Sequence, residues 1–124
     1  MKRLLLIAVA VLMLISCKNG KAEKTIVGTW TEVKADGVDI PVGDQGTIQF
    51  TKVKGGEGDM IVKNAYGSVP EEYVYQIKEG GSKLVFESVG GIVNIKRTKV
   101  IAELTDHSLI IDWGLGEYIG SYTK

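Results

Sequence analysis

From Thr25 onward, apolar and polar residues alternate with a period of two, in short runs separated by glycine-rich breaks. Successive side chains of a β-strand point to opposite faces, so this alternation predicts strands rather than helices. The glycines supply the positive φ angles that tight hairpin turns require. The predicted strands are Ile26–Ala35, Thr47–Lys54, Met60–Ala65, Tyr73–Lys78, Leu84–Val89, Ile92–Leu104, Leu109–Trp113 and Tyr118–Thr123. We therefore predict an all-β fold, an eight-stranded antiparallel up-and-down meander that closes into a barrel and leaves no exposed edge.

One phase of the alternation collects the large apolar residues, and it predicts the inward face of the barrel. It contains eight of the nine aromatic residues, and Tyr66 alone lies outside it. Glu32 shares the phase of Trp30, at a position that fits either a buried site near the barrel end or the rim. The apolar members of this phase are Trp30, Ile48, Phe50, Met60, Val62, Tyr73, Tyr75, Ile77, Leu84, Phe86, Val100, Ala102, Leu104, Leu109, Ile111, Trp113, Tyr118 and Tyr122.

The inward face is compatible with two kinds of interior. An eight-stranded barrel is just wide enough either to fill itself with side chains or to hold one small ligand. The pattern leaves both interiors open. If a cavity is present, its predicted lining consists of aromatic residues of the inward phase, namely Phe50, Tyr73, Tyr75, Phe86, Trp113, Tyr118 and Tyr122.

The first residues differ from the rest of the chain. Lys2 and Arg3 are followed by an unbroken apolar run of 12 residues from Leu4 to Ile15. A basic start before a short apolar stretch is typical of a secretory signal peptide. The run is shorter than the ~20 residues that a helix needs to cross the bilayer core. We therefore predict that residues 1–16 are a signal peptide.

The end of the apolar run, Leu14-Ile15-Ser16-Cys17, resembles the bacterial lipobox. The resemblance implies that Cys17 becomes the mature N-terminus and carries a thioether-linked diacylglycerol and an acylated amine, with fatty chains such as palmitate. Several acyl chains together give a lasting membrane attachment that a single chain does not. Cys17 is the only cysteine, so an internal disulfide is excluded. We expect a lipidated, flexible tether over residues 17–24 and one barrel domain over residues 25–124.

The charges of the mature chain exclude one class of partner. Removal of residues 1–16 leaves 13 basic residues against 15 acidic ones. A near-neutral domain with interspersed charges lacks the basic footprint of a nucleic-acid-binding protein.

We expect membrane contact through the lipid on Cys17 alone. No aspartate follows Cys17 directly and no acidic cluster lies close behind it, which in bacterial lipoproteins favours the outer membrane with the domain facing the periplasm.

Gly28-Thr29-Trp30 on the first predicted strand resembles the Gly-x-Trp signature of lipocalins, in which the tryptophan plugs the closed end of the barrel. The chain is similar to the lipocalin-like domain of small bacterial lipoproteins, and the further matching segments are Ile48-Gln49-Phe50, Glu103–Ile111 and Tyr118–Lys124. The resemblance implies a lipocalin-like barrel, with Gly28 and Trp30 as its plug and a small apolar ligand inside. Lipocalins proper place an arginine of the last strand against this tryptophan. Here the nearest basic residue is Lys124.

The chain offers few groups for catalysis. His107 is the only histidine, and it falls in a predicted turn, where a solvated side chain is the simplest interpretation. With Cys17 acylated, no free thiol remains for a cysteine nucleophile or a Cys/His zinc site. We expect no catalytic residue, no metal site and no cofactor, and we predict that the protein is not an enzyme.

Two functions follow from these predictions. The first is a lipid-anchored binding protein that holds a small, mostly apolar ligand. The second is an interaction or structural module that contacts an envelope protein through its loops or outer face. A connected cavity of roughly 300 Å³ or more, open at one end, would favour the ligand. An exposed apolar patch of several hundred Å² would favour the partner.

Overall fold

The computed structural model describes residues 19–90 and 95–124, and these contain nine strands. Residues 19–25 are helical. Two 3-10 turns are Val42–Asp44 and Glu79–Gly81. The strands are β1 (Gly28–Ala35), β2 (Val38–Asp39), β3 (Thr47–Phe50), β4 (Gly58–Lys63), β5 (Glu71–Lys78), β6 (Lys83–Ser88), β7 (Lys96–Leu104), β8 (Ser108–Asp112) and β9 (Ile119–Thr123).

The sheet is antiparallel throughout and closes on itself. From β3 to β9, each strand pairs with the next one along the chain, and β1 pairs with both β3 and β9. The short β2 forms a hairpin on the end of β1, outside this ring of eight strands. The predicted fold class, an eight-stranded antiparallel up-and-down barrel of lipocalin-like type, is confirmed.

The predicted runs and the observed strands correspond one to one in the barrel, with boundaries that differ by a few residues. The strand β2 was not predicted, because two residues are too few to show an alternation. Residues 92–94 of the predicted run Ile92–Leu104 lie outside the described residues, and β7 begins at Lys96.

The inward face is the predicted one on most strands. The core of the described residues consists of buried side chains on the strands, together with Ala22 and Ile26, which precede the barrel. Its buried members on the strands are Trp30, Ile48, Phe50, Met60, Tyr75, Ile77, Leu84, Phe86, Ile101, Leu109, Ile111 and Tyr122. Tyr66, which the alternation left outside, is 75 % exposed. The period of two therefore identified the face of the sheet on which the core lies.

The strand β7 departs from the prediction. Ile101 is buried at 6 % exposure and Val100 is 39 % exposed, so the inward assignment of Val100 and Ala102 is wrong. The pairing of β7 with β8 shifts between Ile101 and Glu103, which marks a β-bulge at Ala102. The extra residue returns Leu104 to the inward face, where it packs against the core as predicted.

A short helix covers one end of the barrel. Within residues 19–25, Ala22 is buried, and Ile26 directly after the helix is fully buried. Asn19 Oδ1 accepts a 3.0 Å hydrogen bond from the Gly81 backbone N–H, in the turn between β5 and β6. The prediction of a flexible tether is therefore wrong for residues 19–24. No helix within the described residues is long and apolar enough to span a membrane.

The barrel thus has two different ends. We call the end under the helix the closed end; the turns at residues 51–57, 79–82 and 105–107 lie there. The strand order places the loops at residues 36–46, 64–70 and 113–118 at the opposite end, which we call the open end.

Candidate functional site

Trp30 seals the closed end. Its ring is fully buried, and its Nε1–H donates a 2.8 Å hydrogen bond to the Ile26 carbonyl oxygen. Lys124 Nζ lies 5.0 Å from the centre of the Trp30 ring and donates a 2.9 Å hydrogen bond to the Thr25 carbonyl oxygen. A lysine therefore occupies the face of the tryptophan at which lipocalins are expected to place an arginine. This contact has cation–π geometry.

Gly28 has a backbone conformation beside this plug that favours glycine. Its φ of 131° is one that side-chain-bearing residues rarely adopt. A Cβ at this position would also lie 2.7 Å from Lys124 Cε. The structure thus brings together Gly28 and Trp30, the two residues predicted to form the plug, with Lys124 as the third member.

The next layer above Trp30 is filled with side chains. The rings of Phe50 and Tyr75 meet edge to face at 5.0 Å, and both are buried. The Tyr75 hydroxyl donates a 2.6 Å hydrogen bond to the Thr51 carbonyl oxygen near the closed end. Gly58 leaves room for this ring, because a Cβ there would lie 2.6 Å from it. The prediction that Phe50 and Tyr75 line a cavity is therefore wrong, since they fill the closed half.

The open half of the barrel contains a cavity of about 370 Å³. Ile48, Met60 and Val62 form an apolar part of its wall. Phe86 stands edge to face against two other lining rings, at 5.2 Å from Tyr73 and 6.1 Å from Trp113. The five predicted lining residues that the structure brings together around it are Tyr73, Phe86, Trp113, Tyr118 and Tyr122.

Glu32 lies in the cavity wall and organises the polar groups around it. The Tyr118 hydroxyl donates a 2.8 Å hydrogen bond to Glu32 Oε2. The Trp113 Nε1–H donates to the Tyr122 hydroxyl oxygen at 3.1 Å, and Glu32 pairs with Tyr122 across β1 and β9. Four residues from three parts of the chain therefore meet at one side of the cavity.

The two tyrosines of this group keep their protons at neutral pH. Burial, followed by the hydrogen bond to Glu32, raises the pKa of Tyr118 to about 12. Burial and the nearby Glu32 carboxyl raise the pKa of the Tyr122 hydroxyl well above its ordinary value. Both phenols are therefore neutral next to the cavity, and the single Tyr118 proton is already donated to Glu32.

Two cations in the cavity wall were not predicted. Arg97 pairs with Phe86 and Lys99 pairs with Leu84 across β6 and β7, so both lie on the inner face. Lys99 Nζ donates a 2.7 Å hydrogen bond to the Trp113 carbonyl oxygen. The inward position of Ile101 is the feature from which both cations could have been predicted. Taking Ile101 rather than Val100 as inward places Lys99 and Arg97 two and four residues before it on the same face.

The mouth of the cavity carries further charged groups. Glu71 Oε2 accepts a 2.6 Å hydrogen bond from the Tyr73 hydroxyl. Burial and this bond raise the pKa of Tyr73 to about 12, although the nearby Arg97 acts in the opposite direction. The remaining charged lining residues are Asp44, Lys63 and Glu117. The cavity therefore combines an aromatic body with a mixed-charge mouth, and the sequence predicted only the aromatic part as its lining.

Other candidate groups lie away from the cavity. His107 is exposed in the turn between β7 and β8, where its backbone N–H donates to Thr105 Oγ1. Within residues 19–90 and 95–124, no group of three or more histidine, cysteine or acidic side chains could hold a metal ion. Cys17, the predicted lipidation site, lies outside the described residues.

Comparison with known proteins adds no assignment. No protein-family model matches the chain, and no curated protein or solved structure matches it significantly.

Proposed function

We propose that the protein is a non-enzymatic binding protein of the bacterial envelope, lipid-anchored through Cys17, whose barrel holds a small ligand with an apolar body. The observation that carries this proposal is the cavity of about 370 Å³ lined by six aromatic side chains, five of which were predicted to line it. Small-molecule sites are typically concave, mostly apolar and about 300–1,000 Å³ in volume, with a few polar groups that fix the orientation of the ligand. The cavity has a volume in this range, an aromatic body and polar groups that could fix the orientation of a ligand, most of them near its mouth.

The shape of the interior limits the ligand. Because Phe50, Tyr75 and Trp30 fill the closed half, the ligand is confined to the open half. Its apolar body lies against the aromatic rings there. A polar part of the ligand faces the mouth, where Arg97 and Glu71 lie near the ends of their strands.

The proposed lipid anchor on Cys17 holds the closed end next to the membrane. Asn19 is hydrogen-bonded to Gly81 at that end, and Cys17 precedes it by two residues. Consecutive Cα atoms are 3.8 Å apart, so the anchor begins within about 8 Å of Asn19. We infer that the barrel sits on the periplasmic face of the outer membrane and that its mouth points away from the bilayer.

Native mass spectrometry tests the ligand. A Cys17→Ser variant of the full chain, purified from its native host without detergent, is expected to carry one small molecule of constant mass. Val62→Trp adds a large side chain at a cavity-lining position and should lose that mass, whereas Ile61→Trp, on the opposite face of the same strand, should keep it. Equal occupancy in the two tryptophan variants would contradict a ligand site in the cavity.

The membrane placement has a separate test. Metabolic labelling with a clickable fatty acid should mark the natural chain and leave Cys17→Ser unmarked. Protease treatment of intact cells should spare the protein together with a periplasmic marker. Label on Cys17→Ser, or digestion of the protein while the marker survives, would contradict the anchor or the periplasmic placement respectively.

A further inference from the structure

The exposed large apolar side chains are concentrated at the open end. We call six of them, which lie on or beside its three described loops, the rim: Val38, Val42, Tyr66, Val69, Leu115 and Ile119. Val89 and Ile95, on either side of the connection between β6 and β7, are exposed at the same end. Among the described residues, Val100 on the barrel wall is the exception. The closed-end turns at residues 51–57, 79–82 and 105–107 expose no large apolar side chain.

Such a concentration is unlike ordinary surface exposure. Single exposed apolar residues are common on folded proteins, whereas several large ones gathered at one end of a barrel offer a surface for another molecule. Leu115 is fully exposed, and Val42 and Val69 are exposed at 86 % and 88 %. These three side chains therefore contribute little to the packing of the described residues.

Hydrogen bonds hold the rim loops in place. The Tyr66 hydroxyl donates a 2.7 Å bond to Asp44 Oδ1, which joins the loop at residues 64–70 to the loop at residues 36–46. The Ile119 backbone N–H donates a 2.8 Å bond to Asp36 Oδ1, which joins the same loop to β9. A surface that is ordered in advance loses less conformational entropy when a partner binds.

The loops that carry the rim are acidic. The loops at residues 36–46, 64–70 and 113–118 contain Asp36, Asp39, Asp44 and Glu117, and no lysine or arginine. Lys34 on β1 lies 3.9 Å from Asp39, but an ion pair as exposed as this one neutralises little. The exposed cations Lys63, Lys96 and Arg97 lie at neighbouring strand ends, and the exposed Glu71 and Glu72 at the start of β5 keep the open end in excess of negative charge.

From these observations we propose that the rim docks a protein whose contact surface is apolar and carries lysine or arginine. Charge complementarity selects this occupant. An anionic bilayer repels an acidic rim and attracts basic segments instead. A second copy docked rim to rim would bring like charges together, which opposes a symmetric dimer. A basic protein surface has the opposite charge, and its apolar residues cover the exposed valine, leucine and tyrosine side chains.

Site-specific photo-crosslinking in native host cells tests this proposal. A photoreactive phenylalanine analogue is placed at Leu115 or Val69 in the full chain, and the same analogue at Val100 is the control for an exposed apolar position away from the rim. Both rim positions are expected to give the same identified protein, with the attached peptides mapping to a segment rich in apolar and basic residues. The Val100 position should not capture it.

A charge-reversal variant separates the contribution of the acidic side chains. Asp39→Lys with Glu117→Lys should lower the crosslinking yield from both rim positions several-fold, while circular dichroism and export remain unchanged. Adducts only with lipid, only with a second copy of this chain, or equally from Val100 would each overturn the proposal. So would a partner with an acidic contact surface, or the absence of any adduct from the rim.

Discussion

The Tyr118 hydroxyl donates a 2.8 Å hydrogen bond to Glu32 Oε2 and joins two residues that are 86 positions apart in the sequence. This bond links the loop before β9 to β1 at the wall of the cavity. It also places a carboxylate beside a phenol whose ionisation would add a second negative charge. The pKa of Tyr118 is raised to about 12 by burial and by this contact.

The buried and half-buried tyrosines predict a loss of stability at alkaline pH. The pKa values of Tyr73, Tyr75 and Tyr118 rise from 10.0 to about 12 on folding. Below pH 10 both the folded and the unfolded chains hold these protons, so the stabilisation is complete there. Above it, the unfolded chain releases protons that the folded chain retains, and the free energy of unfolding falls as the pH rises to about 12.

Urea denaturation across this pH range measures the effect, and Tyr118→Phe is the matched variant. Removal of one titrating phenol should make the decline with pH shallower than in the natural chain. An identical pH dependence in the two proteins would show that Tyr118 has the same pKa in the folded and unfolded states.

The plug at the closed end predicts a graded set of stability losses. Trp30→Ala removes a fully buried indole and should lower the free energy of unfolding by ~3–5 kcal/mol. Lys124→Met keeps the aliphatic stem but removes the cation above the ring, and should cost about 0.5–1 kcal/mol. Denaturant unfolding, followed by circular dichroism, compares the two. A Trp30→Ala variant as stable as Lys124→Met would contradict the plug.

The bulge in β7 predicts opposite outcomes for two neighbouring residues. Ile101→Ala should lower the free energy of unfolding by about 2–5 kcal/mol, because Ile101 is buried. Val100→Ala removes an exposed side chain and should change it by no more than ~0.5 kcal/mol. Thermal unfolding of both variants decides between this assignment and a regular strand. The reverse order would place Val100 inward and remove the bulge.

Several features of the fold were accessible from the sequence because they depend on local pattern. Alternation and glycine breaks predicted the eight barrel strands, and the phase that contains Trp30 identified most of the core. The helix over residues 19–25 was not accessible in this way. Its segment shows no apolar stripe, and Ala22 becomes buried only by contact with the finished barrel.

The site was predicted less completely than the fold. Alternation shows which face a residue takes but not its depth along the barrel axis, so Phe50 and Tyr75 were assigned to the cavity although they fill the closed half. A bulge depends on pairing with the next strand and leaves no mark in a single strand. Because the bulge at Ala102 was not predicted, the inward and outward faces of β7 before it were exchanged. Arg97 and Lys99 were therefore not recognised as inward residues.

The central claim is that the cavity in the open half binds a small molecule through its apolar body. Fluorescence titration of the Cys17→Ser protein with N-phenyl-1-naphthylamine, a neutral apolar probe, tests it most directly. We predict saturable binding of one probe per chain, lost in Val62→Trp and kept in Ile61→Trp. The absence of saturable binding, or equal binding by these two variants, would contradict the claim.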